Sequence, residues 1–394
     1  MRIVFISNKL TPHQIPLCNE LSVKTEFRFI ETLKAETVEI GWRAERREYP
    51  YVIPYTEEKR EQESNQKIIM DADVVIIGSA PDKMIIPRLK AGKLTFKYAE
   101  RFYKQDLNAR NFLHALLGAW LHHGRFQKYP LYMLCSSAYT AADCALLGNY
   151  FGKTYKWGYF PEMKCYDIDG LMRNKSGVRN TEVSILWVGR LIEWKHPESA
   201  ILLAESLKYQ GYNFKLSIIG YGPLEQKIQS MVDERELSDC VQILGAMSTM
   251  EVRTYMEKAD IFLFTSDFNE GWGAVLNESM NSGCAVVASH AIGAVPFLIK
   301  NGENGLIYQS GSQAHLEKQV KKLLQDAAYR KKLGKKGYET IASVWNADVA
   351  ACRFIELSAK ILNGEKSVNL YDSGPCSKAE ILENNWFQDG VTGK

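Results

Sequence analysis

Short apolar runs alternate with longer stretches whose apolar residues return every three or four positions, and this alternation fills most of the chain. In the first half, Arg2–Ser7, Phe27–Thr32, Val74–Gly78, Leu94–Tyr98 and Tyr132–Ser136 read as strands, since such runs are too short for helices. Helical patterns sit around Pro12–Leu21, Lys83–Ala91 and Ala109–Leu121. The stretch Tyr159–Arg179 has mixed polarity, punctuated by Pro161, Gly170 and Gly177, and reads as a connection. A second series follows. Strands are expected at Val183–Val188, Phe214–Ile219, Val241–Leu244, Ile261–Thr265 and Ala285–Ala288. Helices are expected at His196–Gln210, Leu224–Glu236, Thr249–Ala259, Ala274–Ser282 and Val295–Lys300, then Leu316–Asp326 and Ala328–Val344. Two strand–helix series predict an α/β chain of two Rossmann-like, doubly wound domains facing a cleft, with ligands at the carboxyl ends of the strands. The expected boundaries are a first domain over 1–165, a linker over 166–180, a second domain over 181–345 and a C-terminal helix and tail over 346–394.

Composition changes this picture little. With 394 residues, 46% apolar and 24% charged, there is material for two cores. The net charge of +3 does not call for nucleic acid. Between Pro81 and Pro130, however, ten Lys or Arg stand against three acidic residues, an excess that suits an anionic partner such as a phospho-glycan, a lipid diphosphate or a membrane surface. A solvated basic face is the plainer reading. The eight cysteines are scattered, with none of the short paired spacings of a zinc or redox site, so reduced cytosolic thiols are expected. No run is long enough for a spanning helix; the nearest, Phe112–Leu121, suits a buried or interfacial helix.

The strongest chemical signal is Phe264–Met280, FTSDFNEGWGAVLNESM. A buried strand enters an acidic loop with a Gly-Trp-Gly turn and then a helix. Glu270 lies on the loop and Glu278 one turn into the helix, with seven residues between them. Gly271 and Gly273 let backbone amides approach a ligand, and the helix start offers unpaired N–H groups to a phosphate. Upstream, Leu186–Leu191 ends a strand at Gly189 and Arg190, and Lys195 follows. Two cations on one strand-end loop can neutralise a diphosphate, Arg190 by a fork of donors and Lys195 as a point charge. Gly220-Tyr221-Gly222 suggests a phosphate or ribose cradle, though a Gly-x-Gly alone is weak evidence. Gly245 and Met247 end a further strand, where backbone groups could read a nucleobase edge.

Taken in order, VGRLIEWKHPE, IIGYGPLE, LGAMSTMEV, FTSDFNEGWGAVLNESMNSG and NGENGLIY resemble the donor-binding domain of glycosyltransferase family 4, strongly from Val183 to Tyr308. The resemblance implies a GT-B fold, retention of configuration and no bound metal or other cofactor. It implies that Arg190, Lys195 and Glu270 are catalytic, the two cations holding the donor diphosphate and Glu270 facing the hexose. Glu278 would bind the ribose. The amides of Gly271, Trp272, Gly273, Ala274 and Val275 would complete the pocket, with Gly189, Gly220, Gly222, Gly245 and Met247 around the nucleotide. The implied partners are a nucleotide-sugar donor, with uridine as the default base, and a glycan or lipid-linked glycan acceptor. Nucleic acid is not implied. The implied setting is cytoplasmic, with peripheral contact at the inner membrane face, and the work is bacterial polysaccharide synthesis. The last helix of such folds crosses back onto the first domain, and the segments at Val344–Asp348 and Gly374–Ser377 resemble those of bacterial polysaccharide enzymes.

The first domain would then hold the acceptor. Asn8 and His13 follow the first strand. Many relatives carry a histidine after a middle strand, where this chain has Phe96–Phe102, so Glu100 and Arg101 are the candidates there, as a cleft carboxylate–guanidinium pair. Ser136 and Ser137 are further cleft-lining candidates. Asp71-Ala72-Asp73 looks like a metal-binding acidic triplet but precedes an apolar strand, where acids punctuate turns. His122-His123 lacks a third zinc ligand at suitable spacing. Two other functions compete: a sugar-nucleotide epimerase, which needs no acceptor, and a non-catalytic donor-binding subunit. Nucleotide release with and without acceptor separates them.

Overall fold

The computed structural model describes residues 1–34, 49–104, 112–175, 182–365 and 368–388. The chain forms two compact units, one from Met1–Glu162 with Asn346–Leu382, the other from Met163–Trp345 with the segment that begins at Glu383.

The first unit runs β1 (Arg2–Ser7), α1 (Ile15–Lys24), β2 (Glu26–Glu31), β3 (Val52–Ile53), α2 (Lys59–Asp71), β4 (Val74–Ile77), α3 (Ile86–Lys90), β5 (Thr95–Ala99), α4 (Phe112–His122), β6 (Leu131–Cys135), α5 (Thr140–Leu146) and β7 (Thr154–Lys156). Its strands form a parallel sheet in the order β3-β2-β1-β4-β5-β6-β7. The five strands expected from the sequence are present, each within a residue of its expected start. Those missed, β3 and β7, span two and three residues, too few to show a period. The expected helix over Ala109–Leu121 begins at Phe112 among the described residues. Helix α2 was missed because its sequence, KREQESNQKIIMD, is polar or charged along most of its length and buries only Ile69.

The second unit runs α6 (Ile168–Asn174), β8 (Val183–Val188), α7 (Pro197–Tyr209), β9 (Phe214–Ile219), α8 (Glu225–Glu234), β10 (Val241–Ile243), α9 (Thr249–Lys258), β11 (Ile261–Phe264), α10 (Val275–Asn281), β12 (Ala285–Ser289), α11 (Val295–Leu298), β13 (Leu306–Tyr308), α12 (Gln313–Gln325) and α13 (Ala327–Ser343). Within the expected linker over 166–180, Ile168–Asn174 is helical, and Met172 is buried. That helix packs on α13, with Lys335 paired to Asp169 at 2.8 Å. Residues 176–180 of that linker lie outside the described residues. The sheet, again parallel, has the order β10-β9-β8-β11-β12-β13. Strands β11 and β12 are buried at every position, which explains why IFLF and AVVA read as continuous apolar runs. Ser248 and Glu251 close a capping box that starts α9, a device worth about 1 kcal/mol.

Helix α14 (Ala347–Leu362) belongs to the first unit. It packs on α1, and its Phe354 ring sits 5.0 Å from Phe96 and 5.7 Å from Trp157. All eight cysteines are free, and only Cys165 and Cys352 are exposed. Among the described residues, no helix is long and apolar enough to cross a membrane.

Candidate functional site

In the second sheet the strand order turns back between β8 and β11, because β9 and β10 lie to one side and β12 and β13 to the other. A doubly wound sheet opens a crevice at such a point, just beyond the carboxyl ends of its strands. The residues there are Gly189 to Lys195 after β8 and Thr265 to Gly273 after β11.

These two loops are bound together. The Thr265 hydroxyl donates to the Lys195 carbonyl (2.6 Å) and accepts from the Trp187 indole (2.8 Å). The Asp267 N–H donates to Trp194 O (3.0 Å). The Lys195 ammonium donates directly to Glu270 Oε2, which also accepts from the Ser266 hydroxyl at 3.0 Å. The same ammonium lies 4.8 Å from the Trp194 ring centre and 5.6 Å from that of Phe264. Both partners are nearly buried, with side chains 13% and 10% exposed, where a broken pair is costly. Lys195 and Glu270 therefore act as one unit, where the sequence suggested two separate ligand contacts. Arg190 differs: it is exposed, and its guanidinium makes no ion pair or hydrogen bond among the described residues.

The next residue, His196, adopts the left-handed region (φ 48°), directly before Pro197. Its Nδ1 faces Glu198 (3.0 Å) and its Nε2 faces Asp267 (3.2 Å). The Glu198 bond, with help from Asp267, raises its pKa against the opposing effect of burial. This bridge was invisible in the sequence because Asp267 is 71 positions away.

Glycines make the close approaches at the strand ends. A Cβ on Gly220 would stand 1.8 Å from Gly189 O, and one on Gly273 (φ 88°) 2.5 Å from the Phe264 ring. Gly220 and Gly222 pack against the backbone of Gly189 and Leu191, so their immediate role is to let the loops after β8 and β9 nest. Gly245 meets nothing within 4 Å at its Cβ position, and Met247 is half-buried.

At the start of α10, the N–H groups of Gly271, Gly273, Ala274 and Val275 donate to no carbonyl or side chain among the described residues. Backbone donors in such buried turns are otherwise paired, so this run of amides is suited to an external acceptor. Trp272 is not part of that surface. Its side chain is fully buried, donates to Asn277 Oδ1 (2.9 Å) and packs on Trp345 and Phe297 at 5.8 and 6.2 Å. Its expected ligand contact is confined to the backbone. Glu278 is half-buried, its carboxylate receives no hydrogen bond among the described residues, and burial pushes that carboxyl up against the pull of Arg253.

In the first unit, Asn8 Oδ1 accepts from Lys9 N (2.8 Å) and serves the local turn. His13 stacks on Tyr159 (5.7 Å, 5° between planes), and burial lowers its pKa to about 4. Glu100 accepts from the Tyr159 hydroxyl (2.6 Å) and pairs with Lys104 (3.1 Å). The expected Glu100–Arg101 pair is not formed. Successive residues leaving a strand point to opposite faces, and Arg101 turns inward to Asp143 (3.5 Å), beneath the Tyr139 ring. His13, Tyr159 and Glu100 thus form the cluster, with Tyr159 the member that sequence reading missed. The basic stretch is also partly internal. Arg88 is fully buried and donates to the carbonyls of Ile69, Ala72, Asp73 and Leu94, and Lys97 pairs with Asp82 at 2.7 Å. Asp73 is tied to the Arg2 N–H (2.7 Å). His122 faces Asp82 and His123 faces the Tyr150 hydroxyl, so the two histidines serve different partners.

Known proteins align with these features. The family model for glycosyl transferases group 1 matches residues 170–340. The chain is 36% identical over 149 residues to the amylovoran biosynthesis glycosyltransferase AmsK of Erwinia amylovora, which covers 36% of each protein. It is 32% identical over 147 residues to a Campylobacter jejuni enzyme named N-acetylgalactosamine-N,N'-diacetylbacillosaminyl-diphospho-undecaprenol 4-alpha-N-acetylgalactosaminyltransferase, covering 37% of this chain and 39% of that one. The chain thus spans little more than a third of the length of these curated relatives. Among solved structures, Anabaena HepE in complex with UDP superposes with a TM-score of 0.66 at 14% identity, covering 93% of this chain and 100% of that one. Sucrose-phosphate synthase of Thermosynechococcus elongatus gives 0.63 at 15% identity, with coverage of 93% and 100%. With two parallel Rossmann-like units that superpose on such enzymes over most of their length, the chain has the GT-B class of fold, and its residues 170–340 match the glycosyl transferases group 1 model.

Proposed function

We propose that this chain is a retaining, metal-independent glycosyltransferase of cell-surface polysaccharide synthesis. It moves a hexose or N-acetylhexosamine from a nucleoside diphosphate sugar, with uridine as the base, to a hydroxyl of a glycan or lipid-linked glycan. The observation that carries the reading is the meeting, at one strand-order reversal, of Arg190, the Lys195–Glu270 pair and the amides of Gly271, Gly273, Ala274 and Val275. Charge developing on a departing diphosphate needs preorganised donors. Arg190 can turn onto it from solvent, Lys195 can share its protons between phosphate and Glu270, and the amide run adds neutral donors. The Glu278 carboxylate, without a hydrogen-bond partner among the described residues and raised by burial, offers acceptors to ribose hydroxyls, whose two bonds would offset its desolvation. Glu270 orients the sugar, and the leaving phosphate receives the acceptor proton. The relatives' names, which mention amylovoran biosynthesis and a diphospho-undecaprenol compound, and the UDP in the HepE complex support the choice of donor and acceptor classes.

Peripheral membrane contact is part of the proposal. Helix α4 exposes Leu117, Trp120 and Leu121, near Arg125 and Lys128 in sequence. Apolar side chains beside cations suit an anionic lipid surface.

The test is a thermal-shift screen of the full chain with UDP, GDP, ADP and their sugars, followed by nucleotide release with and without a lipid-linked acceptor, each with and without EDTA. Stabilisation by uridine nucleotides and acceptor-dependent release that survives EDTA are expected. Silence across all nucleotides would overturn the reading.

A further inference from the structure

At the carboxyl ends of β11, β12 and β13, on the side of the second sheet away from β9 and β10, the end of the chain returns to this unit. Asn384 O lies 3.2 Å from His290 Nε2, and His290 Nδ1 accepts from the Ser310 N–H at 2.9 Å. The two bonds together fix the ring as the neutral Nε2–H tautomer, and burial lowers its pKa in the same sense. Phe387 stacks on His315 (6.0 Å, 11°), and Trp386 lies 5.4 Å from Phe387. From the acidic loop, Phe268 meets His290 edge-on at 5.5 Å.

Between this segment and the loops lies a cavity of about 400 Å³, within the range of small-ligand clefts. Its wall combines two phenyl rings, Phe268 and Phe387, with the side chains of Gln309, Ser310, Asn385 and Gln388. Among the described residues none of these four side chains has a hydrogen-bond partner. Of the two histidines in the wall, His196 is bracketed by Glu198 and Asp267, and His290 is held between Asn384 O and the Ser310 N–H. A phosphate would find no unpaired cation there, and a metal ion no carboxylate cluster. Amides and a hydroxyl match sugar hydroxyls, being both donors and acceptors, while phenyl rings match the apolar C–H face of a pyranose. The cavity is coupled to the donor loop, since Phe268 stands two residues before Glu270 and the Gly293 N–H donates to Glu270 O (3.2 Å).

We propose that this cavity is a saccharide subsite that takes one neutral pyranose ring, with Phe387 and Asn385 of the C-terminal segment forming its outer wall. The proposal rests on the reading of the chain as a glycosyltransferase. The ring can belong to the glycan being extended or to the donor itself, and the test separates the two.

Saturation-transfer NMR on the full chain would use methyl α-D-glucoside, methyl α-D-galactoside and their 2-acetamido forms, alone and with UDP or UDP-sugar. Nucleotide binding would be measured in parallel by calorimetry. At least one glycoside is expected to show saturable transfer. Binding should weaken tenfold or more in Phe387→Ala and Asn385→Ala and recover in Phe387→Trp, while UDP affinity stays within twofold. Transfer that persists with UDP-sugar present assigns a glycan ring; loss with UDP-sugar but not with UDP assigns the donor's ring. No transfer from any glycoside, or undiminished transfer in Phe387→Ala, overturns the subsite. UDP binding without glycoside binding sinks this proposal alone, and glycoside binding without any nucleotide binding sinks the donor reading alone.

Discussion

Lys195 donates its ammonium to the Glu270 carboxylate across the point where the second sheet reverses its strand order. The pair is shielded by Trp194 and Phe264 and held by Ser266. Removing either partner leaves the other charged in a nearly dry site. Lys195→Ala and Glu270→Gln are each expected to lower turnover at least 100-fold, and Lys195→Ala also to lower stability by about 1–3 kcal/mol. The double variant should be more stable than the sum of the two singles, measured by urea denaturation as a double-mutant cycle.

Arg190 should behave in the opposite way. Its guanidinium is exposed and without an ion pair among the described residues, so Arg190→Ala should leave the melting temperature within about 1 °C. Calorimetric affinity for the nucleoside diphosphate should fall about 10–100-fold, equivalent to about 1.4–2.8 kcal/mol. Unchanged affinity would remove Arg190 from the diphosphate site.

Glu278 is expected to trade stability for binding. Its folded pKa is raised by burial, so the folded state holds its proton more tightly than the unfolded state. Stability is therefore highest below the unfolded value, near 4.3, and declines as pH rises through the folded pKa. Glu278→Gln should raise the melting temperature at pH 7 with little effect at pH 4, while weakening nucleotide binding. A variant no more stable than wild type at pH 7 would show that the carboxylate carries no desolvation cost.

His196 gives a pH dependence of the same sign in a higher pH window. Its pKa is raised mainly by the bond to Glu198, with Asp267 assisting. Its contribution is fully present below the unfolded pKa of about 6.5 and disappears as pH rises through the higher folded value. Differential scanning calorimetry of wild type against His196→Asn should show a stability difference that narrows from pH 6 to pH 8. Asparagine also accepts the left-handed backbone, so strain does not confound the comparison.

Trp272 tests the buried side of the same loop. Trp272→Ala empties a fully buried site beside Phe297 and Trp345 and is expected to cost about 3–5 kcal/mol. Trp272→Phe should cost less and leave nucleotide affinity nearly unchanged, since the indole points into the core.

Much of the fold was legible because parallel strands buried on both faces must be short continuous apolar runs, and the helices between them keep a 3.6-residue stripe. β11 and β12 could be read on that basis, and β8 and β9 from apolar runs interrupted by one or two polar residues. β3, β7, β13 and α2 could not, because two- or three-residue strands carry no period and α2 hides one buried isoleucine among charges. The candidate donor residues were legible for a related reason: they sit on loops that follow readable strands, so order along the chain located them.

The sequence by itself determined the two α/β series, the glycines that let strand-end loops nest and the residue types gathered at the switch point. Only the tertiary structure decided their partners. It joined Lys195 to Glu270, turned Arg101 to Asp143 instead of its neighbour Glu100, sent the Trp272 indole into the core and brought Asn384–Phe387 back to His290 and His315. Pattern and propensity act over a few neighbouring residues, whereas a charge finds its partner only after the chain has closed loops of tens or hundreds of residues. The low-dielectric interior then settles which pairs survive desolvation.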